Sequence, residues 1–208
     1  MTDTTQKQFQ HPGVIRLTHW INFLALGVMV FSGLRIYNAS PLFGFTFPED
    51  LTMGGWLAGA RQLHFFAMWV FFLNGTFYIL YNLLSRHGRR TTLFRLSDVR
   101  GVLPMVLYYL RLKKEHPPHE KYNALQKLAY TLIPFVALGT ILSGIAIYWP
   151  VQWGFLTKML GGYDYARGWH FFFMAALVLF FFGHILMVLI AGWSNFLSMI
   201  TGWKKNSR

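Results

Sequence analysis

Apolar residues along this chain collect in four long blocks, at 17–37, 63–84, 128–149 and 169–193, separated by stretches where charge, proline and glycine return. Each block is about 20 residues or slightly longer, the length at which a helix crosses about 30 Å of hydrocarbon. They predict four transmembrane helices. A fifth pattern sits in the polar middle stretch: Val99, Val102, Leu103, Val106, Leu107 and Leu110 recur at roughly helical spacing over 97–114, beside Arg100, Arg111, Lys113 and Lys114. That is the pattern of a helix lying in the headgroup layer. Pro104 lacks an N–H and crowds the preceding turn, so the regular part is expected to begin near Leu103. His116, Pro117, Pro118 and His119 then predict a turn into the third span. The fold class is all-α: one domain over 1–208, a transmembrane four-helix bundle with an interfacial cytoplasmic helix.

The blocks are related in pairs. Ala60, Arg61, Gln62, Leu63, His64, Phe65, Phe66, Ala67 and Met68 align without gaps on Ala166, Arg167, Gly168, Trp169, His170, Phe171, Phe172, Phe173 and Met174, sharing Ala, Arg, His, Phe, Phe and Met. Ser32, Gly33, Ile36 and Tyr37 match Ser143, Gly144, Ile147 and Tyr148 in the same way. The chain is therefore expected to be a duplicated two-helix hairpin, both copies inserted in one direction.

Composition agrees with a bilayer: 54% hydrophobic, 19% aromatic and only 12% charged. The net charge of +12 would suit nucleic acid, but its distribution has a simpler cause. Lys7, Arg16, the basic residues between 86 and 127, and Lys204, Lys205 and Arg208 fall on one side of the predicted spans, leaving Arg35, Arg61, Lys158 and Arg167 on the other. The positive-inside rule then places both termini and the middle loop in the cytoplasm, with loops 38–62 and 150–168 outside. Nucleic-acid binding is not expected. The polar start of the chain does not resemble a cleavable leader, so the first helix is expected to stay as an anchor. The chain has no cysteine, which excludes disulfides, thiolate iron–sulfur ligation and covalent c-type haem attachment.

Against that background four of the eight histidines stand out, because ionisable groups at membrane depth are costly and usually functional. His64 and His170 lie near the outer ends of inward-running helices, one turn below Arg61 and Arg167. His184 follows His170 by fourteen residues in the sequence, which on a helix is about 21 Å deeper and only about 40° off the same face. His19, at the inner start of the first helix, shares its level. The expected pairs are His64 with His170 and His19 with His184. Tyr78 and Tyr130 occupy the repeat-related positions of the inner pair. Two imidazoles facing each other in a dry bundle suit a six-coordinate haem iron, which moves electrons and leaves no open site for substrate. Zinc gathers four ligands round one ion, and levels about 21 Å apart do not supply them. His11, His87, His116 and His119 read as solvated loop residues, and Met68 and Met174 as packing residues.

Arg16, Arg61 and Arg167 each precede a proposed ligand by three residues, as Lys127 precedes Tyr130, which puts each pair on one helix face. They are candidates to pair with haem propionates, or equally boundary residues snorkelling into water. Arg35, near the outer end of the first span, could serve a propionate or a partner subunit. Gly27, Gly33, Gly75, Gly139, Gly144 and Gly183 leave room for porphyrin or for plain helix packing. Phe43, Phe45, Phe47, Trp56, Trp153 and Phe155 in the outer loops suit a docking surface or an interfacial aromatic belt.

His19-Trp20, Ser32-Gly33, His64, the run Tyr122-Asn123-Ala124-Leu125-Gln126-Lys127, and His170 with His184 together resemble the bacterial cytochrome b561 and nickel-hydrogenase cytochrome b superfamily, over nearly the whole chain. Within it the likeness is to the dihaem cytochrome b subunits of thiosulfate reductase and formate dehydrogenase type. The resemblance implies two non-covalent haems b with the ligand pairs given above, in a multi-pass protein of the bacterial inner membrane. It also implies a quinone pocket beside the inner haem, at Asn123 and Gln126, which by themselves read as helix-start residues. The stretch Arg35-Ile36-Tyr37-Asn38-Ala39-Ser40-Pro41 resembles members that accompany a periplasmic molybdopterin oxidoreductase. The expected function is electron transfer between the quinone pool and that partner. The alternatives are a stand-alone cytochrome b561 acting as quinol:oxygen (superoxide) oxidoreductase, and a haem-free helical transporter or scaffold.

Overall fold

The computed structural model describes residues 7–85, 94–109, 111–115, 117 and 123–205. Among these the elements run β1 (Lys7–Phe9), α1 (Gly13–Ala39), α2 (Leu57–Leu84), α3 (Val99–Tyr109), α4 (Ala124–Tyr148), α5 (Gly154–Met159), α6 (Tyr163–Ala191), α7 (Trp193–Thr201) and β2 (Trp203–Lys205), with 3-10 turns at Glu49–Leu51 and Leu96–Asp98. α1, α2, α4 and α6 are long and apolar enough to cross a membrane. They are the four predicted spans. Each starts several residues before its apolar block, because Arg16, Arg61, Gln62, Lys127 and Arg167 interrupt the apolar run without ending the helix. Only 17%, 6%, 17% and 6% of the most apolar windows of α1, α2, α4 and α6 are buried inside the protein. Residues such as Phe66, Leu179 and Leu189 therefore face outward, and lipid is the solvent that accepts them.

Two expectations are corrected. The interfacial helix does not wait for Leu103: it begins at Val99 and carries Pro104 inside it. The preceding 3-10 turn, closed by an exchange of hydrogen bonds between Arg95 and Asp98, nucleates the helix, so one missing N–H at Pro104 is tolerated. The last span ends at Ala191 rather than Trp193. Gly192 has a φ of +87°, a left-handed conformation that glycine adopts without strain, and a separate amphipathic helix, α7, follows it. Leu110, His87, His116, Pro118, His119 and Tyr122 lie outside the described residues.

The chain divides into two compact units, Met1–Tyr78 with Val178–Arg208, and Ile79–Leu177. In the first, β1 pairs antiparallel with β2, Lys7 opposite Lys205 and Phe9 opposite Trp203. α1 is tied to α7 by Trp20, whose Nε1 donates to the Met199 carbonyl at 3.2 Å, and by Arg16, whose guanidinium donates to the Ile200 carbonyl. It is tied to α2 by Asn74, whose amide donates to the Thr18 carbonyl at 2.7 Å and to Asn22 Oδ1 at 2.8 Å. Such interhelical amide bonds hold where hydrocarbon offers no other partner. In the second unit, Ala146, Leu156 and Ala166 form a small core under Ile145, Ile147 and Leu160, and Lys127 reaches from α4 to Asp98 at 3.1 Å.

Candidate functional site

His64 and His170 sit in two copies of one local structure. In the first unit, α1 presents Ser32 and Gly33 to the ring of His64, whose Nδ1 lies 3.0 Å from the Met29 carbonyl oxygen and 3.2 Å from Ser32 Oγ. In the second, α4 presents Ser143 and Gly144 to His170, whose Nδ1 lies 3.0 Å from the Thr140 carbonyl oxygen and 3.2 Å from Ser143 Oγ. A carbonyl oxygen can only accept, so Nδ1 carries the proton in both rings. The other nitrogen, Nε2, is thereby left with its lone pair. Metal-ligating histidines are typically anchored in this way, a backbone carbonyl fixing one ring nitrogen and with it the tautomer. The glycines permit the approach: a Cβ at Gly33 would stand 3.3 Å from His64 Cε1, and one at Gly144 3.2 Å from His170 Cε1.

His19 on α1 and His184 on α6 belong to the same unit, and their ring centroids are 6.0 Å apart with planes inclined by 58°. Metal–nitrogen bonds of about 2 Å, with each ring centre about 1 Å behind its nitrogen, put two imidazoles on one metal with centres roughly 6 Å apart. The observed spacing fits two rings on one metal. Trp20 and Phe180 pack on these rings, edge-on to His19 and stacked on His184 respectively. Among the described residues neither ring makes a hydrogen bond to protein. Gly27, Gly75 and Gly183 face open space, with nothing within 4 Å of a Cβ built on them, whereas Gly139 is closed off by the ring of Phe173. Each local arrangement therefore suits a haem iron: an Nδ1-anchored imidazole at His64 and at His170, and two imidazoles 6.0 Å apart at His19 and His184.

The expected outer residues have protein partners. Arg35 pairs with Glu49 at 2.8 Å, Arg167 with Asp164 one turn earlier at 3.3 Å, and the Arg61 guanidinium lies 5.9 Å over the ring of Phe65. Arg16 caps α7, while its Nε is buried and without a hydrogen-bond partner among the described residues. Asn123 and Gln126 form the capping box that starts α4: the Gln126 N–H donates to Asn123 Oδ1 at 2.9 Å, and the Asn123 N–H donates to Gln126 Oε1 at 3.0 Å. The Asn123 amide also donates to the Tyr109 hydroxyl at 3.0 Å. Burial raises the pKa of that phenol above its usual range, so it stays protonated.

Ser32 and Ser143 were legible only as markers of the repeat; their contact with the rings came from the folded structure. The matched Ser-Gly dipeptide opposite a matched histidine was the available signal. Asn74 could have been singled out as an amide inside an apolar span. The carbonyls of Met29 and Thr140 carry no sequence signal at all.

A family model for prokaryotic cytochrome b561 matches residues 10–202. A putative protein-methionine-sulfoxide reductase subunit, YedZ1, of Azospira oryzae is 40% identical over 192 residues, covering 92% of this chain and 96% of the relative. A probable Ni/Fe-hydrogenase B-type cytochrome subunit of Cupriavidus necator is 25% identical over 208 residues, covering 91% of this chain and 84% of the relative. No solved structure matches.

Proposed function

Because the chain belongs to the prokaryotic cytochrome b561 family, and is thus a multi-pass membrane b-type cytochrome of electron transfer, we propose that it carries two haems b between the quinone pool and a periplasmic oxidoreductase. The observation that carries this reading is the pair His19 and His184, 6.0 Å apart between ring centroids, together with the Nδ1-anchored rings of His64 and His170. His19 and His184 would hold an inner haem, and His64 and His170 an outer one. Held by two histidines, a haem would supply one-electron exchange and leave no position open to oxygen or substrate. The chain's own residues supply the rest. α1 and α6 bring the inner rings to ligating distance, Met29 and Thr140 fix the outer rings in one tautomer, and the apolar helix surfaces exclude water.

The orientation proposed puts both termini and the Lys- and Arg-rich middle stretch in the cytoplasm of a bacterial inner membrane, by the positive-inside rule. The names of the two relatives, one a reductase subunit and one a hydrogenase cytochrome subunit, support a redox partner. The likeness of 35–41 to partners of molybdopterin oxidoreductases, and the exposed Phe43, Phe45, Trp56, Trp153 and Phe155, support docking on the outer face. Quinone would exchange electrons with the inner haem. Arg16 is the best-placed propionate donor, because its buried Nε has no partner among the described residues.

Haem extraction from the purified chain tests the reading. Two b-type haems per chain, both reduced by added quinol, are expected. One haem, or none, contradicts it. A purified chain that oxidises quinol with oxygen at an appreciable rate and captures no partner from native membranes would favour the stand-alone oxidase instead.

A further inference from the structure

The two Ser-His contacts ask more than ligation requires. Met29 and Thr140 already anchor the rings of His64 and His170, yet each Nδ1 has a second acceptor, Ser32 Oγ or Ser143 Oγ, at 3.2 Å. The hydroxyl protons are committed elsewhere, Ser32 donating to the Val28 carbonyl at 2.6 Å and Ser143 to the Gly139 carbonyl at 2.7 Å. Back-bonding of serine to the preceding turn is common in apolar helices and explains that half. The remaining lone pair of each Oγ faces the ring. Both serines are fully buried, so water does not compete for the contact.

We infer that Ser32 and Ser143 are positioning residues that lower the reduction potential of the haem ligated by His64 and His170. An N–H shared between two acceptors, a carbonyl and a hydroxyl, gives up more of its proton's charge and leaves a more electron-rich imidazole. A stronger donor stabilises the oxidised iron over the reduced iron. In a low-dielectric interior that polarisation is not diluted by solvent. His19 and His184 make no hydrogen bond to protein among the described residues, so the device acts on one haem only. The inference rests on the dihaem reading and goes beyond it, because ligation alone does not need the serines.

Redox titration followed by optical spectroscopy on the purified haem-loaded chain, comparing wild type with Ser32→Ala and Ser143→Ala, tests it. In each variant the component that His64→Ala abolishes should shift to higher potential, while the component that depends on His184 stays where it is and the haem count is unchanged. Ser32→Cys and Ser143→Cys fill the same space with a weaker acceptor. They should shift the same component upward by less, and they supply the measurement if the alanine variants lose haem. An unmoved or lowered potential with haem content intact overturns the inference and leaves the dihaem reading standing. A wild-type chain without reducible haem overturns that reading first. Shifts in two different components would break the assignment of His64 and His170 to one haem.

Discussion

A histidine in hydrocarbon is costly unless both nitrogens have work, and at His64 and His170 each Nδ1 has it. Carbonyl and hydroxyl hold that nitrogen, and glycine clears the space beside the ring. Gly33→Ala would set a methyl carbon 3.3 Å from His64 Cε1, and the half-buried ring would have to tilt to make room. We predict about tenfold faster loss of one haem to an excess of apo-globin. The second haem should transfer as in wild type. Equal loss of both, or of neither, would mean that the glycine serves general packing. The charged side chains repeat the same lesson. Arg167 is a candidate propionate partner or boundary residue and Arg35 a candidate for a propionate or a partner subunit, and they pair with Asp164 and Glu49. Sequence spacing puts Arg167 on one face with His170, but the acidic partner of Arg35 comes from a loop, where spacing has no rule.

At the scale of the element, the capping box of α4 separates two roles that one residue could have. Asn123 caps the helix with its oxygen and bonds Tyr109 with its nitrogen. Asn123→Ala should therefore destabilise the protein by about 1 kcal/mol, read as a lower midpoint of thermal unfolding in detergent. Quinol oxidation measured well below that midpoint should be unchanged; a lost quinol activity at unaltered stability would return Asn123 to the quinone site. The neighbouring Asp98 gives a pH dependence. The Arg95 backbone N–H, and then the Lys127 ammonium, hold its carboxyl below the usual range. A depressed folded value means that the stabilisation is complete above the unfolded value of about 3.9 and is lost as pH falls through the folded one. Wild type should thus be more stable than Asp98→Asn at neutral pH, and the difference should close below about pH 4. A difference that persists in acid would assign the effect to shape rather than charge.

The four spans were legible because hydrocarbon imposes a long, uniform pattern on them. α7 and the β1–β2 ribbon were not. Each is short, and β1 finds its partner at the opposite end of the chain, with Lys7 across from Lys205, a closure that local pattern does not encode. α7 was hidden because Trp193 and its neighbours continue the apolar run, and only the backbone turn at Gly192 divides them. Pro104 misled in the other direction: a rule about isolated helices gave way to the 3-10 turn that starts α3 ahead of it.

For the whole molecule, duplication is the organising idea. Each copy of the hairpin contributes one Ser-Gly cradle with the same 3.0 Å and 3.2 Å contacts, while the proposed inner ligands are divided, His19 from the first copy and His184 from the second. The family identity adds haem b and electron transfer, and the two named relatives add the expectation of a partner enzyme. One measurement bears most directly on the claim that four histidines make two haem sites: reduced-minus-oxidised spectra of purified wild type, His64→Ala and His184→Ala, with haem counted per chain. The account predicts two haems in wild type and one in each variant, the surviving spectral component being different in the two. The same surviving component in both, or both haems gone in either, would contradict it.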